Sequence, residues 1–190
     1  IPGTGQLLRR STSYYGDDLS GTAQPARGLV SRRLDHLPAA GGSGPATTFS
    51  YDAYGNLLTT ANPRANGGEI PAAQGTTTLT YDTTFQTFVR TRTNGLGHQT
   101  VYGYLPSAAC VVQQPAGAGL IHTLQQPNDT VGTSALRCYD VFGRTTLDRA
   151  ANNLQETRTS YNDVVFPETV TREVRARTSP SLTYRVSVTS

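Results

Sequence analysis

The chain has 190 residues, 36% of them hydrophobic, no lysine, and a formal net charge of +3 carried entirely by arginine. The arginines are scattered, adjacent only at Arg9-Arg10 and Arg32-Arg33, which excludes the clustered basic stripe of a nucleic-acid binder. No apolar run approaches the roughly 18 residues of a membrane-spanning helix.

This length fits one domain, which would bury roughly 70% of its unfolded surface. Nineteen glycines and eleven prolines punctuate the chain, threonine is abundant and helix formers are scarce. The Thr, Val, Tyr and Phe residues fall in short runs between turn signals, which predicts β-structure. There is no Met, so Ile1 is expected to lie inside a longer protein.

In chain order, Gln6 to Tyr15 reads as one strand, and Gly16-Asp17-Asp18 turns after it. Adjacent carboxylates beside a glycine suit a solvated turn better than an acid/base or cation site. Gly28 to Leu37 is the next strand; its His36 has no partner at metal spacing. Pro38 to Pro45 is a flexible loop. Thr47 to Tyr51 alternates cleanly, with Phe49 and Tyr51 on one face.

There follows the stretch that repeats. Tyr51-Asp52-Ala53-Tyr54-Gly55 returns as Tyr139-Asp140-Val141-Phe142-Gly143. Tyrosine suits a half-buried pleated face. The Asp carboxylate suits the first position of a type I turn, accepting from backbone two residues on. Glycine suits the exit, where φ is positive. Together they predict a three-residue hairpin loop with a bulge. Asn94-Gly95-Leu96-Gly97 and Asp129-Thr130-Val131-Gly132 carry the turn without the tyrosine. Tyr81-Asp82 is an entry half only, since position 85 is Phe; Tyr161-Asn162-Asp163 is looser still. The unequal spacing of the copies predicts hairpins of unequal length rather than a uniform solenoid.

Between these copies, Leu57 to Thr60 returns from the first turn, and residues 61–76 form a long excursion. Thr77, Leu79 and Tyr81 share a face. Phe88 to Thr93 and His98 to Tyr104 form a second clear hairpin, with His98 exposed just past the turn. Cys110 to Val112 and Leu120 to Leu124 read as short strands, the latter carrying His122. Ser134 to Tyr139, Thr145 to Asp148 and Glu156 to Tyr161 continue the series. Asn162 to Pro167 breaks it, and residues 181–189 alternate most cleanly of all. Helical periodicity is absent. The prediction is an all-β antiparallel strip of about a dozen strands, one domain over residues 1–190. Cys110 and Cys138 lack paired zinc spacing. Two separate buried thiols are the expected state; the alternative is a cross-strand disulfide in an exported protein.

The pattern resembles the YD-repeat, or Rhs, proteins. The residues that carry the resemblance are Phe49 to Leu57, Thr93 to His98, Pro127-Asn128 and Tyr139 to Arg144. Gly28 to Arg33 is similar to the part preceding the first repeat in bacterial members. The likeness runs from about residue 11 to about 165. The order of the pieces is most similar to the Rhs-containing, SpvB-like component of bacterial Tc-type insecticidal toxins. That resemblance implies a β-strip spiralling into a hollow shell around a toxic C-terminal segment, in a secreted or cell-surface bacterial protein. It implies as partners the rest of the polypeptide or another toxin subunit. Two departures stand out: Phe85 replaces the family's glycine, predicting no tight turn there, and the self-cleaving C-terminal region has no counterpart, predicting no autoproteolysis.

In the structural reading, Tyr51, Tyr81 and Tyr139 stack on neighbouring strands. Asp52, Asp82, Asn94, Asp129 and Asp140 hold turns, and Gly55, Gly97, Gly132 and Gly143 permit them. The alternative is a cell-surface carbohydrate-binding or adhesion module, with tyrosines stacking on glycans. An enzyme is not expected. Ser, His and Asp occur without a nucleophile elbow, and no glycine-rich stretch leads into a Lys and a helix. No cofactor or metal is expected.

Overall fold

The computed structural model describes residues 10–16, 27–36, 44–110, 119–129, 133–164, 169–178 and 181–189. They form an all-β chain of antiparallel hairpins, in two compact units, Ile1–His98 and Gln99–Ser190.

The first unit holds β1 (Arg10–Tyr15), β2 (Val30–His36), β3 (Ala46–Tyr51), β4 (Leu57–Ala61), β5 (Thr76–Tyr81) and β6 (Val89–Thr93). The second holds β7 (Gln99–Gly103), β8 (Thr123–Gln125), β9 (Ala135–Tyr139), β10 (Thr145–Arg149), β11 (Gln155–Asn162), β12 (Thr169–Thr178) and β13 (Ser181–Thr189). Within each unit every strand pairs antiparallel with the next in sequence. Such a meander needs no crossover, because two-stranded reversals are made by short turns. Exposure alternates along β6 and much of β11, as a strand with one covered face requires.

Only six hydrophobic residues are buried among the described residues, and four of them, Cys110, Leu136, Cys138 and Leu147, form one cluster in the second unit. β9 supplies Leu136 and Cys138 from one face of its pleat, and β10 lays Leu147 opposite Cys138.

Several expectations need correction. Cys110 and Cys138 are not separate thiols but a disulfide, with Cα atoms 5.4 Å apart. The loop after β7 brings Cys110 beside β9, a non-local contact that spacing alone does not announce. Cys110 itself lies outside any strand, its N–H donating to the Ser107 carbonyl; Val111 and Val112 lie outside the described residues. The excursion over 61–76 is partly helical: α1 (Pro63–Asn66), capped by the Asn62 side chain on the Ala65 N–H, then a 3₁₀ turn (Ala72–Gly75). A single helical turn is too short to leave a periodic signal. The strand expected over Leu120 to Leu124 is shorter, Thr123–Gln125, and His122 lies just before it. β12, ten residues long, was not anticipated. Asp17 and Asp18 lie outside the described residues, and so does Gly132.

No helix among the described residues is long and apolar enough to cross a membrane.

Candidate functional site

Three of the recurring turns, at Asp52, Asn94 and Asp140, use one construction. At Asp52, the backbone N–H donates to the Asn56 carbonyl at 2.9 Å and the Gly55 N–H returns to the Asp52 carbonyl at 3.2 Å. Asp52 Oδ1 accepts from the N–H groups of Tyr54 and Asn56, both at 2.8 Å. Asp140 repeats this with Phe142 and Arg144, both at 2.9 Å, and Asn94 with Leu96 and His98, both at 3.0 Å. Gly55, Gly97 and Gly143 hold φ of +89°, +81° and +80°. Strand register slips beside Tyr51, Tyr81 and Tyr139, where two residues on one strand oppose one on its partner.

Asp82 makes a wider loop in place of the tight turn. Its carboxylate accepts from the N–H groups of Thr84, Phe85, Thr87 and Phe88, and its own N–H reaches the Phe88 carbonyl. The left-handed position moves from residue 85 to Gln86, at φ +53°. Asp129 departs further. Its carboxylate points back to the Gln126 N–H at 2.6 Å, closing a turn over Gln126–Asp129 before the predicted one.

The carboxylates of Asp52, Asp82 and Asp140 anchor their turns in the ionised form. Partial burial pushes the Asp52 carboxyl up, but donors from the Asn56 side chain and from the Asn56 and Tyr54 backbone outweigh it and hold the group below its ordinary range. Asp82 and Asp140 are lowered against the same desolvation, the first by four backbone N–H groups, the second by Arg144 and Phe142.

The tyrosine in front of each Asp has a role beyond stacking. Tyr51 Oη–H donates to the Val30 carbonyl at 2.9 Å, and Tyr81 to Leu57 at 2.8 Å. Tyr139 donates to Ile121 at 2.8 Å, and Tyr161 to Thr145 at 3.2 Å. Each acceptor belongs to the strand, or the residues just before the strand, that precedes the tyrosine's own. Every hydroxyl therefore ties a new hairpin to the previous one. Burial raises the Tyr51 phenol, and burial with the nearby Asp52 charge raises that of Tyr81.

A third position couples the turns themselves. Asn56, directly after Gly55, donates from Nδ2 to Asp52 at 2.9 Å and to the Gln86 carbonyl in the Asp82 loop at 2.6 Å. Arg144 stands in the equivalent place. Its Nε donates to Asp140 and its terminal nitrogens fork onto Asp163, at 2.6–2.9 Å. The fork onto Asp163, then the Asp140 contact, raises the Arg144 guanidinium above its ordinary value, and Arg144 in turn lowers Asp163. The same guanidinium lies 4.1 Å over the Tyr161 ring and 5.1 Å from Phe142. Arg27 donates to the carbonyls of Asp52 and Ala53 in the same way from the previous turn. The sequence reading missed this position. The available signal was a long nitrogen donor, Asn56 or Arg144, following the glycine in both full copies.

Other ionic groups are local. Glu156 sits among Arg149, Arg158 and Arg175; burial pushes its carboxyl up, but the arginines outweigh that and lower it. Among the described residues no three His, Cys, Asp or Glu side chains gather as a metal site. Chemically, the arrangement binds strand to strand and turn to turn.

No family model matches the chain, and no curated protein matches it.

Proposed function

We propose that this chain is a wall segment of a β-shell of the YD-repeat (Rhs) kind, enclosing a toxic C-terminal cargo in a secreted bacterial toxin. One observation carries the reading: the hydroxyls of Tyr51, Tyr81, Tyr139 and Tyr161 each bond to backbone of, or just before, the preceding strand, and in both full Tyr-Asp copies the residue after the glycine bonds forward to the next loop. A container wall must be thin and must extend without a deep core. Few side chains among the described residues are buried. Stitches repeated at four of the hairpins supply cohesion that a globular core supplies elsewhere. In this reading the carboxylates are turn anchors and the chain performs no reaction.

Electron cryomicroscopy of the complete polypeptide carrying this chain tests the proposal. A hollow β-walled particle with protease-protected material inside is expected. A solid particle, or cargo cut at the rate of free peptide, would rule the reading out.

The exposed tips favour one second reading, a glycan-binding module. Tyr54 is 71% and Phe142 75% exposed. Tyr51, Tyr81 and Tyr139 do not serve it, because their hydroxyls are committed to backbone. Glycan-array binding abolished by Tyr54→Ala would favour this reading over the first.

A further inference from the structure

We propose that Asn94 is a self-modifying residue: its side-chain amide is lost through a cyclic imide formed with the Gly95 nitrogen, leaving aspartate and isoaspartate in the turn after β6. Two Asn-Gly pairs occur in the chain, Asn94-Gly95 and Asn66-Gly67. In such a pair no side chain on the second residue shields its nitrogen, which can then approach the amide carbon of the first. The fold treats the two pairs differently. Asn66 is locked: its Nδ2 donates to the Ala46 carbonyl at 2.7 Å and to the Ala61 carbonyl at 3.2 Å, and its Oδ1 accepts from Thr48. The nucleophile beside it is committed as well, because the Gly67 N–H donates to the Pro63 carbonyl at 2.8 Å.

Asn94 is exposed at a hairpin tip, and among the described residues the Gly95 N–H has no acceptor. Oδ1 accepts from the N–H groups of Leu96 and His98, both at 3.0 Å, which identifies the other amide atom as the nitrogen. That nitrogen, the leaving group, meets only the His98 ring, at 3.4 Å, and no backbone carbonyl. As the electron pair of the Gly95 nitrogen bonds to Cγ, negative charge builds on Oδ1, where the two N–H donors already point. The Gly95 proton passes to solvent base. The Cγ–Nδ2 bond breaks with its electron pair, and Nδ2 takes a proton from solvent and leaves as ammonia. Water then adds to either imide carbonyl and opens the ring, so one water is consumed and one ammonia released, with no oxidation or reduction. Opening to the ordinary linkage puts at residue 94 the carboxylate that Asp52 and Asp140 supply to the same construction. The reaction is independent of the shell reading.

The test is peptide mapping by mass spectrometry of the complete natural chain aged in mildly alkaline buffer, folded and, separately, unfolded in urea. In the folded chain residue 94 should gain the mass that separates a carboxylic acid from an amide. Part of that product should be isoaspartate, which direct hydrolysis of the amide does not form. Conversion at residue 94 should outpace residue 66 by about ten times or more, the factor one ordinary hydrogen bond supplies when it must break before reaction. Urea removes the bonds that lock Asn66, so there the two rates should converge. No conversion at residue 94, aspartate without isoaspartate, equal rates at the two sites in the folded chain, faster conversion at residue 66, or a rate difference that survives in urea would each overturn the proposal.

Discussion

Tyr139 is the most buried of the motif tyrosines, at 7% exposure, and its hydroxyl holds the Ile121 carbonyl at 2.8 Å. Tyr139→Phe keeps the ring and removes the bond. It should cost about 0.5–1.5 kcal/mol in urea denaturation, with Tyr161→Phe, whose bond is 3.2 Å long, at the lower end. Gly143 has room for a Cβ, the nearest atom being Leu120 Cδ1 at 3.9 Å, so its requirement is the backbone angle, φ +80°. Gly143→Val should therefore cost roughly 1–3 kcal/mol through strain alone, and Gly143→Asn clearly less. The turn carboxylates set the acid limit. Asp52, Asp82 and Asp140 are lowered in the fold, so the unfolded chain binds protons first as pH falls. Their contribution is complete above the ordinary carboxylate value of about 4 and is lost as pH drops through the lower folded values. Denaturation midpoints should fall below about pH 4, and less steeply in Asp140→Asn. At the alkaline end the sign reverses. Tyr51 and Tyr81 are raised, so their contribution is complete below about pH 10 and is lost above it, as ionised phenols cease to donate.

At the scale of elements, the turn after β6 and the 3₁₀ turn are fitted to each other. A Cβ on Gly95 would lie 1.9 Å from the Gln74 carbonyl oxygen, a backbone atom with little freedom to move. Gly95→Ala should cost about 3 kcal/mol or more, the upper range for overpacking, while Gly97→Ala, open but at φ +81°, should cost about 1–2 kcal/mol. The disulfide closes a separation of 28 residues. Reducing it should remove about 3–4 kcal/mol, read as the shift in urea midpoint with and without dithiothreitol. The strands and their order were legible because Thr, Val and Tyr runs alternate between turn signals. The tight turns were legible because Asp and Gly stand three apart. What was not legible depends on contacts between hairpins. Nothing local in Asn56 or Arg144 names Gln86 or Asp163 as its partner, and nothing near Cys110 points to Cys138. Asp82 shows the limit of motif reading: without a glycine at 85 the carboxylate still anchors a loop, and Gln86 adopts the strained angle.

At the scale of the molecule, each unit is a meander whose cohesion lies more in its row of turns than in a deep interior. A globular protein of this length relies on apolar burial. Among the described residues the buried hydrophobic ones are few, and the bonds from tyrosine to the preceding strand recur four times. The central claim is that these hydroxyls join hairpins rather than decorate them. Amide hydrogen exchange on the natural chain and on Tyr139→Phe tests it most directly. The account predicts that the single lost bond lowers protection together in β8 and in the β9–β10 hairpin, while the Asp140 N–H stays bonded to Arg144. Unchanged protection in β8, with any loss confined to the immediate neighbours of residue 139, would contradict it.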